Sequence, residues 1–209
     1  SLTEFSNPRK AGIIAVDLDE GDFLIGASLT DGKHDVMLFS DGGKAVRFDE
    51  NDVRPMGRNA RGVRGMMLEE GQRVIAMLVA EDEQQSVLTA TENGYGKRTP
   101  ITEYTRHGRG TKGMIAIQQS ERNGKVVAAT LVHADDEIML ITDKGVLVRT
   151  RVSEIRELGR ATQGVTLIGL DEGSKLSGLQ RIVENDAQPG ESESNEAGDA
   201  DAAPEDGQA

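Results

Sequence analysis

Short apolar runs separated by glycine turns fill most of this chain, and the same arrangement returns about every 51 residues. Val36-Met37-Leu38-Phe39 is followed by the turn Asp41-Gly42-Gly43 and the returning run Ala45-Val46-Arg47-Phe48. Val87-Leu88-Thr89-Ala90-Thr91 leads through Glu92-Asn93-Gly94 to Lys97-Arg98-Thr99. Ile138-Met139-Leu140-Ile141-Thr142 leads through Asp143-Lys144-Gly145 to Val146-Leu147-Val148-Arg149. An apolar run, a glycine turn and a return predict a β-hairpin. Longer apolar runs stand between the hairpins: Phe23 to Leu29, Val74 to Val79, Val126 to Leu131, and a last strand within Lys175 to Val183 that is free to close against an earlier one. Ile13 to Val16, Met66 to Leu68, Met114 to Ile117 and Val165 to Ile168 are shorter apolar stretches, of which Ile13 to Val16 reads as a strand. No segment shows helical periodicity.

The register is strict. Gly43, Gly94 and Gly145 are spaced by 51, as are Arg47, Arg98 and Arg149. Val53, Tyr104 and Ile155 keep the same spacing as an apolar column, which assigns Tyr104 to the core. Tyr95 follows a turn glycine and reads as a strand start. A period near 50 built of short strands predicts an all-β, propeller-like array with roughly four antiparallel strands per unit. One such sheet cannot bury both faces, so neighbours must stack. The expected units are about 23–72, 73–124 and 125–173, in a domain spanning 1–183. Residues 1–22 read as the end of a further repeat, which suggests a piece of a longer chain.

Composition narrows the class. The 209 residues include no cysteine, which excludes a disulfide framework and Cys-based metal sites. No apolar run reaches the roughly 18 residues of a membrane span. Ser1 to Lys10 lacks the apolar core of a signal peptide. A cytoplasmic protein without a membrane partner is the expectation. The net charge of −12 is uneven. Nine of the 36 acids lie in residues 184–209, which hold no Lys or Arg, so 27 acids face all 24 bases in the rest. That acidic stretch has no aromatic residue and reads as a disordered tail. On a flexible tether it is expected to compete with any polyanion for a basic surface.

Within the near-neutral body, charge is segregated. Arg54 to Met66, RPMGRNARGVRGM, holds four arginines and no acid. At the 51-residue step Gly57-Arg58 becomes Gly108-Arg109 and Gly159-Arg160. Arg61 becomes Lys112 and then Gln163, and Gly62 becomes Gly113 and Gly164. Arg9-Lys10-Ala11-Gly12 occupies the corresponding place at the start. The turns that follow are acidic: Asp19-Glu20-Gly21-Asp22, Glu69-Glu70-Gly71 and Asp171-Glu172-Gly173. In a radial array, equivalent positions share a rim, so these cations would form a curved stripe suited to the phosphates of bent duplex DNA. Adjacent glycines let backbone N–H groups approach a phosphate. The candidate DNA-contacting residues are Arg9, Lys10, Arg47, Arg58, Arg61, Arg64, Arg98, Arg106, Arg109, Lys112, Arg149 and Arg160. Aromatic residues are 3% and Trp is absent, which disfavours base stacking and favours backbone contact with a duplex. A charge run is also the ordinary solvated face of a protein. Two other readings stay open: a propeller whose basic rim binds an acidic protein, and a propeller enzyme with its site in a central channel.

Other chemistry is thinly supported. His34, His107 and His133 show no ligand spacing, so no metal site is expected. Asp17-x-Asp19 followed by Gly21 is a poor calcium loop, because the glycine is misplaced and Ser28 stands at the twelfth position. An acidic turn is expected there. Neither a GxxxxGK[ST] loop nor a nucleophile elbow occurs, and no catalytic residue is assigned.

The stretches LTEF, DVMLFSDGGKAVRF, GRNARGVRGM, LTATENGYGKRT, GRGTKGMIAI and VLVRTRVSEIRELGRATQGV resemble the blades of the DNA gyrase A C-terminal domain, a β-pinwheel. The resemblance covers about residues 1–183. The family heptapeptide QRRGGKG does not occur, and Asn59 to Gly65 and Gly108 to Gly113 look like degenerate copies of it. Tyr95 and Tyr104 do not match the sequence context of the family's catalytic tyrosine. The resemblance implies a β-pinwheel of about four blades that wraps double-stranded DNA around its rim without catalysing a reaction. It implies as partners the rest of gyrase A and the gyrase B protein in an A2B2 complex, at the chromosome. No cofactor is implied for this piece, since the ATP and Mg2+ of strand passage bind elsewhere. The related topoisomerase IV protein is the nearest alternative.

Overall fold

The computed structural model describes residues 1–183, so the predicted acidic tail at 184–209 lies outside the described residues. Among the described residues eleven strands are formed: β1 (Asp35–Ser40), β2 (Lys44–Asp49), β3 (Val74–Ala80), β4 (Ser86–Thr91), β5 (Tyr95–Pro100), β6 (Met114–Ile115), β7 (Val126–Val132), β8 (Glu137–Thr142), β9 (Leu147–Arg151), β10 (Val165–Thr166) and β11 (Leu176–Ile182). They make three antiparallel sheets, ordered β3-β1-β2-β6, β10-β5-β4-β7 and β11-β8-β9. Short 3-10 turns at Leu2–Phe5, Glu50–Asp52, Ile101–Glu103 and Val152–Glu154 are the helical segments.

All three predicted hairpins form, in one common register: Leu38 faces Val46, Thr89 faces Lys97, and Leu140 faces Val148. Tyr95 opens β5, as a strand start should. The acid in each hairpin turn also fixes the third strand. Asp41, Glu92 and Asp143 accept hydrogen bonds from the backbone N–H of Arg73, Lys125 and Lys175 at 2.9, 3.0 and 2.9 Å. Those N–H groups, with Lys175 on Glu92 and Ser174 on Asp143, hold the carboxyls of Glu92 and Asp143 below the ordinary carboxylate range.

The sheets are not the contiguous windows expected from the repeat. The outer strand of each four-stranded sheet comes from far along the chain. β6 pairs with β2 at Lys44–Ile115 and Ala45–Met114, and β10 pairs with β5 at Gly96–Val165 and Tyr95–Thr166. The crossing is held at the hairpin glycines. Ala116 and Ile117 donate to the carbonyl of Gly43, and Leu167 and Ile168 donate to that of Gly94. A Cβ on Gly43 or Gly94 would lie 2.5 or 2.6 Å from the carbonyl oxygen of Ile117 or Ile168, and both glycines have φ near +80°. Among the described residues the third hairpin lacks this strand. Gly145 has the same φ of +81° but open space around it, and Val146 and Leu147 are exposed.

Stacking buries both faces of the middle sheet, as the repeat logic requires. Alternate residues of β1 point to opposite sides. Met37 and Phe39 pack with Val87, Ile101 and Tyr104 between the first two sheets, while Val36 and Leu38 join Val46, Phe48 and Met66 on the outside. Tyr104, 1% exposed, lies edge-on to Phe39 with centroids 6.0 Å apart. The column reading is borne out there. Leu88, Ala90, Ile138, Leu140 and Ile155 fill the space between the second and third sheets.

The predicted strands at Ile13 to Val16 and Phe23 to Leu29 do not form. The long strands 74–80 and 126–132 each pair with the hairpin that precedes them, and no hairpin precedes 23–29 among the described residues, so the backbone of that segment has no ladder to enter. Phe23, Leu24, Ile25 and Leu29 are accordingly exposed.

The two glycines separate local strain from the crossing. Gly145→Ala forces alanine into the left-handed region and costs about 1–2 kcal/mol. Gly94→Ala adds the collision with Ile168 and lowers the denaturation midpoint further. Equal midpoints for the two variants would show that the crossing at Gly94 carries no tension.

Candidate nucleic-acid interface

The basic segments are loops that follow the 3-10 turns, each closed by a positive-φ glycine: Gly12, Gly62, Gly113 and Gly164. One hydrogen bond repeats between successive loops. Asp17 N–H donates to Ala60 C=O at 3.2 Å, Met67 to Thr111 at 2.8 Å and Gln118 to Thr162 at 2.9 Å. The segment leaving one loop therefore runs beside the next, which sets the loops in a row. This register aligns Gly12 with Gly62, a step of 50 rather than 51, so Ala11 stands where Arg61, Lys112 and Gln163 stand later. Arg9 and Lys10 are exposed but precede that position by two residues and one.

The twelve candidate cations divide into tethers and exposed groups. Arg47 is a correction: it is buried, with Nε 2.7 Å from Asp35, itself 3% exposed, and with Glu83 on its other arm. Its Nη1 donates to the carbonyls of Ile101 and Tyr104 in the next unit. Arg98, 51 residues on, is half-buried and repeats the tether, donating from Nε to Ile155 C=O at 2.8 Å. Neither presents its guanidinium as a rim contact. Arg149 is exposed at the edge of the third sheet and pairs with Glu137.

The Gly-Arg column also bridges neighbours. Arg58, Arg109 and Arg160 donate to the carbonyls of Ile14, Arg64 and Ile115, at 2.7, 3.2 and 2.9 Å. Arg58 and Arg160 are half-buried, whereas Arg109 stays exposed. Arg106 pairs with Asp35 and Asp49. Arg61 is 69% exposed but sits against Asp17 at 3.2 Å and Asp19 at 2.8 Å, which gives those carboxylates a cation from the chain itself. The Asp17 and Asp19 charges keep the Arg61 guanidinium above its ordinary pKa. Lys112 and Arg64 are exposed and have no side-chain partner among the described residues. Lys112 borders a cavity of about 340 Å³ with His107, Thr111, Gly113 and Arg47.

Lys97 escaped the sequence reading. It is fully buried and inserts its ammonium under the fourth loop, donating to Gly159 C=O, Arg160 C=O and Thr162 Oγ1. Burial lowers its pKa to about 8, with Glu103 opposing and Arg160 adding to the shift. The available signal was a lysine in an otherwise apolar column, 51 residues from both Val46 and Val148.

The repeated sheets and loops match a known family. The family model described as DNA gyrase C-terminal domain, beta-propeller, matches residues 1–31, 34–81, 85–133 and 136–182. This chain belongs to that family. The DNA gyrase A protein of Pseudomonas aeruginosa is 56% identical over 183 residues, 88% of this chain and 20% of that protein. Its counterpart in Escherichia coli K12 is 54% identical, over 88% of this chain and 21% of that protein. The chain thus spans about a fifth of the length of these relatives. A solved DNA gyrase A C-terminal domain superposes with a TM-score of 0.77 at 31% identity, covering 83% of this chain and 59% of that one. The C-terminal domain of a DNA topoisomerase IV gives 0.82 at 24% identity, over 87% and 57%, which is a likeness of fold. In this gyrase C-terminal domain sequence, the second, third and fourth matched segments each begin just before a hairpin and end with the long strand that pairs back onto it.

Lys97 gives the loop row a pH signature. With a folded pKa near 8 against about 10.5 unfolded, the unfolded chain binds more protons between those values, so stability rises with pH across that window. Lys97→Met is expected to flatten the rise in chemical denaturation between pH 8 and pH 10.5. An unchanged slope would mean that burial of Lys97 is not its source.

Proposed function

We propose that this chain binds duplex DNA without reading its sequence, along the loop row through Arg61 and Lys112. It would serve as the DNA-wrapping part of the gyrase A protein of a type II topoisomerase. The observation that carries this reading is the repeated loop-to-loop hydrogen bond, which sets outward cations at a structural repeat in a chain of the gyrase C-terminal domain family. Cations spaced one structural unit apart on loops, rather than clustered on one helix or strand that could enter a groove, suit phosphates more than base edges. The row suits a duplex that bends to follow it. Strand cleavage and ATP-dependent supercoiling then fall to the rest of gyrase A and to gyrase B, with ATP and Mg2+ bound there. The complex would be an A2B2 assembly on the bacterial nucleoid.

Binding is expected to strengthen with duplex length over several helical turns and to weaken steeply with salt. Lys112→Ala with Arg64→Ala should lower the salt slope by about two, one per phosphate contact. Arg61→Ala should lower it less, because its guanidinium is already paired with Asp17 and Asp19. Fluorescence anisotropy on duplexes of graded length reads both effects. A flat length dependence with an unaltered slope would instead favour an acidic protein partner.

A further inference from the structure

One cluster of chemistry-bearing side chains stands outside the loop row. Asp31 and His34 lie on the turn that enters β1, and Glu50 opens the 3-10 turn that leaves β2. Their ligand atoms all lie within 4.8 Å of one another. His34 Nδ1 is 3.0 Å from Asp31 Oδ1 and 3.7 Å from Glu50 Oε1. We propose that Asp31, His34 and Glu50 hold one divalent transition-metal cation, Zn2+ by ligand chemistry, which pins the entry of the first hairpin to its exit.

Three observations carry this. The separations are those of metal ligands: donors at about 2.0–2.2 Å around tetrahedral zinc stand about 3.4 Å apart, between the two distances found. The His34 Nδ1 atom is shielded from solvent, lies close to two carboxylates and has no hydrogen-bond partner among the described residues. The carboxylates are also held in place from behind. Glu50 accepts from the backbone N–H of His34 at 2.7 Å. Asp31 accepts from Lys33 N–H at 3.1 Å. Such outer contacts orient metal ligands in known sites.

Asp31 faces solvent, so a fourth position is open to water. One imidazole with two carboxylates is a borderline donor set that favours zinc and its neighbours over Mg2+ or Ca2+. At the 51-residue step the three positions become Asp82, Gln85 and Ile101, and then His133, Asp136 and Val152. Neither set reproduces the trio, so the site is peculiar to the first hairpin and independent of the repeating loops.

The test is zinc uptake by the full chain, freed of any affinity tag, by equilibrium dialysis and by the visible spectrum of a Co2+ substitute. One Zn2+ per chain is expected. His34→Gln should weaken it roughly tenfold or more, and Asp31→Asn, at an exposed position where folding is not at stake, should also weaken it. His107→Gln and His133→Gln should leave it unchanged. No stoichiometric uptake, or equal uptake by His34→Gln, would overturn the proposal, as would equal displacement by Ca2+. DNA anisotropy in chelator should be unaltered, which keeps this result separate from the wrapping reading.

Discussion

The array rests on one close approach, the passage of β6 and β10 over the hairpin glycines of an earlier sheet. Each crossing brings a backbone carbonyl to within 2.6 Å of where a Cβ would stand at Gly43 or Gly94. Glycine at positive φ is the residue that allows it. The crossing gives the outer edge of each hairpin a hydrogen-bonded partner and seals the space between sheets. A single hairpin of this sequence would expose the apolar faces of Met37 and Leu38 on opposite sides. With neighbours in place, every residue of β4 is buried. Each net hydrogen bond contributes only about 1 kcal/mol. The crossings matter mainly because they decide which apolar faces meet.

The tether arginines follow from the same constraint. Where a segment leaves one sheet for the next, carbonyls such as those of Ile101, Tyr104 and Ile155 face inward without a ladder partner. A guanidinium carries five donors in a fixed plane and reaches them across the gap. Arg47 and Arg98 do this in one column, and Arg58, Arg109 and Arg160 do it in another. Periodic arginine is therefore weak evidence for a ligand by itself. An inter-sheet tether must recur with the repeat as faithfully as a phosphate contact would.

This divides what was legible in the sequence from what was not. The hairpins, their register, the Tyr104 core position and the stacking of units could be read, because each follows from local turn chemistry and period-two alternation. The exchange of outer strands could not. Met114-Ile115 looks like any short apolar run, and nothing local tells it to pair with Lys44-Ala45 about 70 residues earlier. Phe23 to Leu29 has the pattern of a strand, but a strand needs a neighbour as well as a pattern. Of the candidate cations, the exposed ones were distinguishable from the tethers only once the carbonyls they face were known. The same is true of Glu50, sixteen residues from His34 along the chain.

Arg61 shows how little the charge of a position says about its capacity to hold DNA. Its two aspartates are exposed, and an exposed pair of this kind stabilises little. A phosphate can displace them at small cost, but the exchange replaces one anion with another and gains correspondingly little. At Lys112 the residues in the places of Asp17 and Asp19 are Met67 and Glu69, and Lys112 forms no ion pair among the described residues. Two chemically similar positions on one row thus differ in what they offer a polyanion. The difference comes from the segment that the loop-to-loop hydrogen bond places beside each of them. On the proposed reading, a track built this way would grip a duplex unevenly along its length, more firmly toward Lys112 than toward Arg61, although the scaffold beneath it is regular.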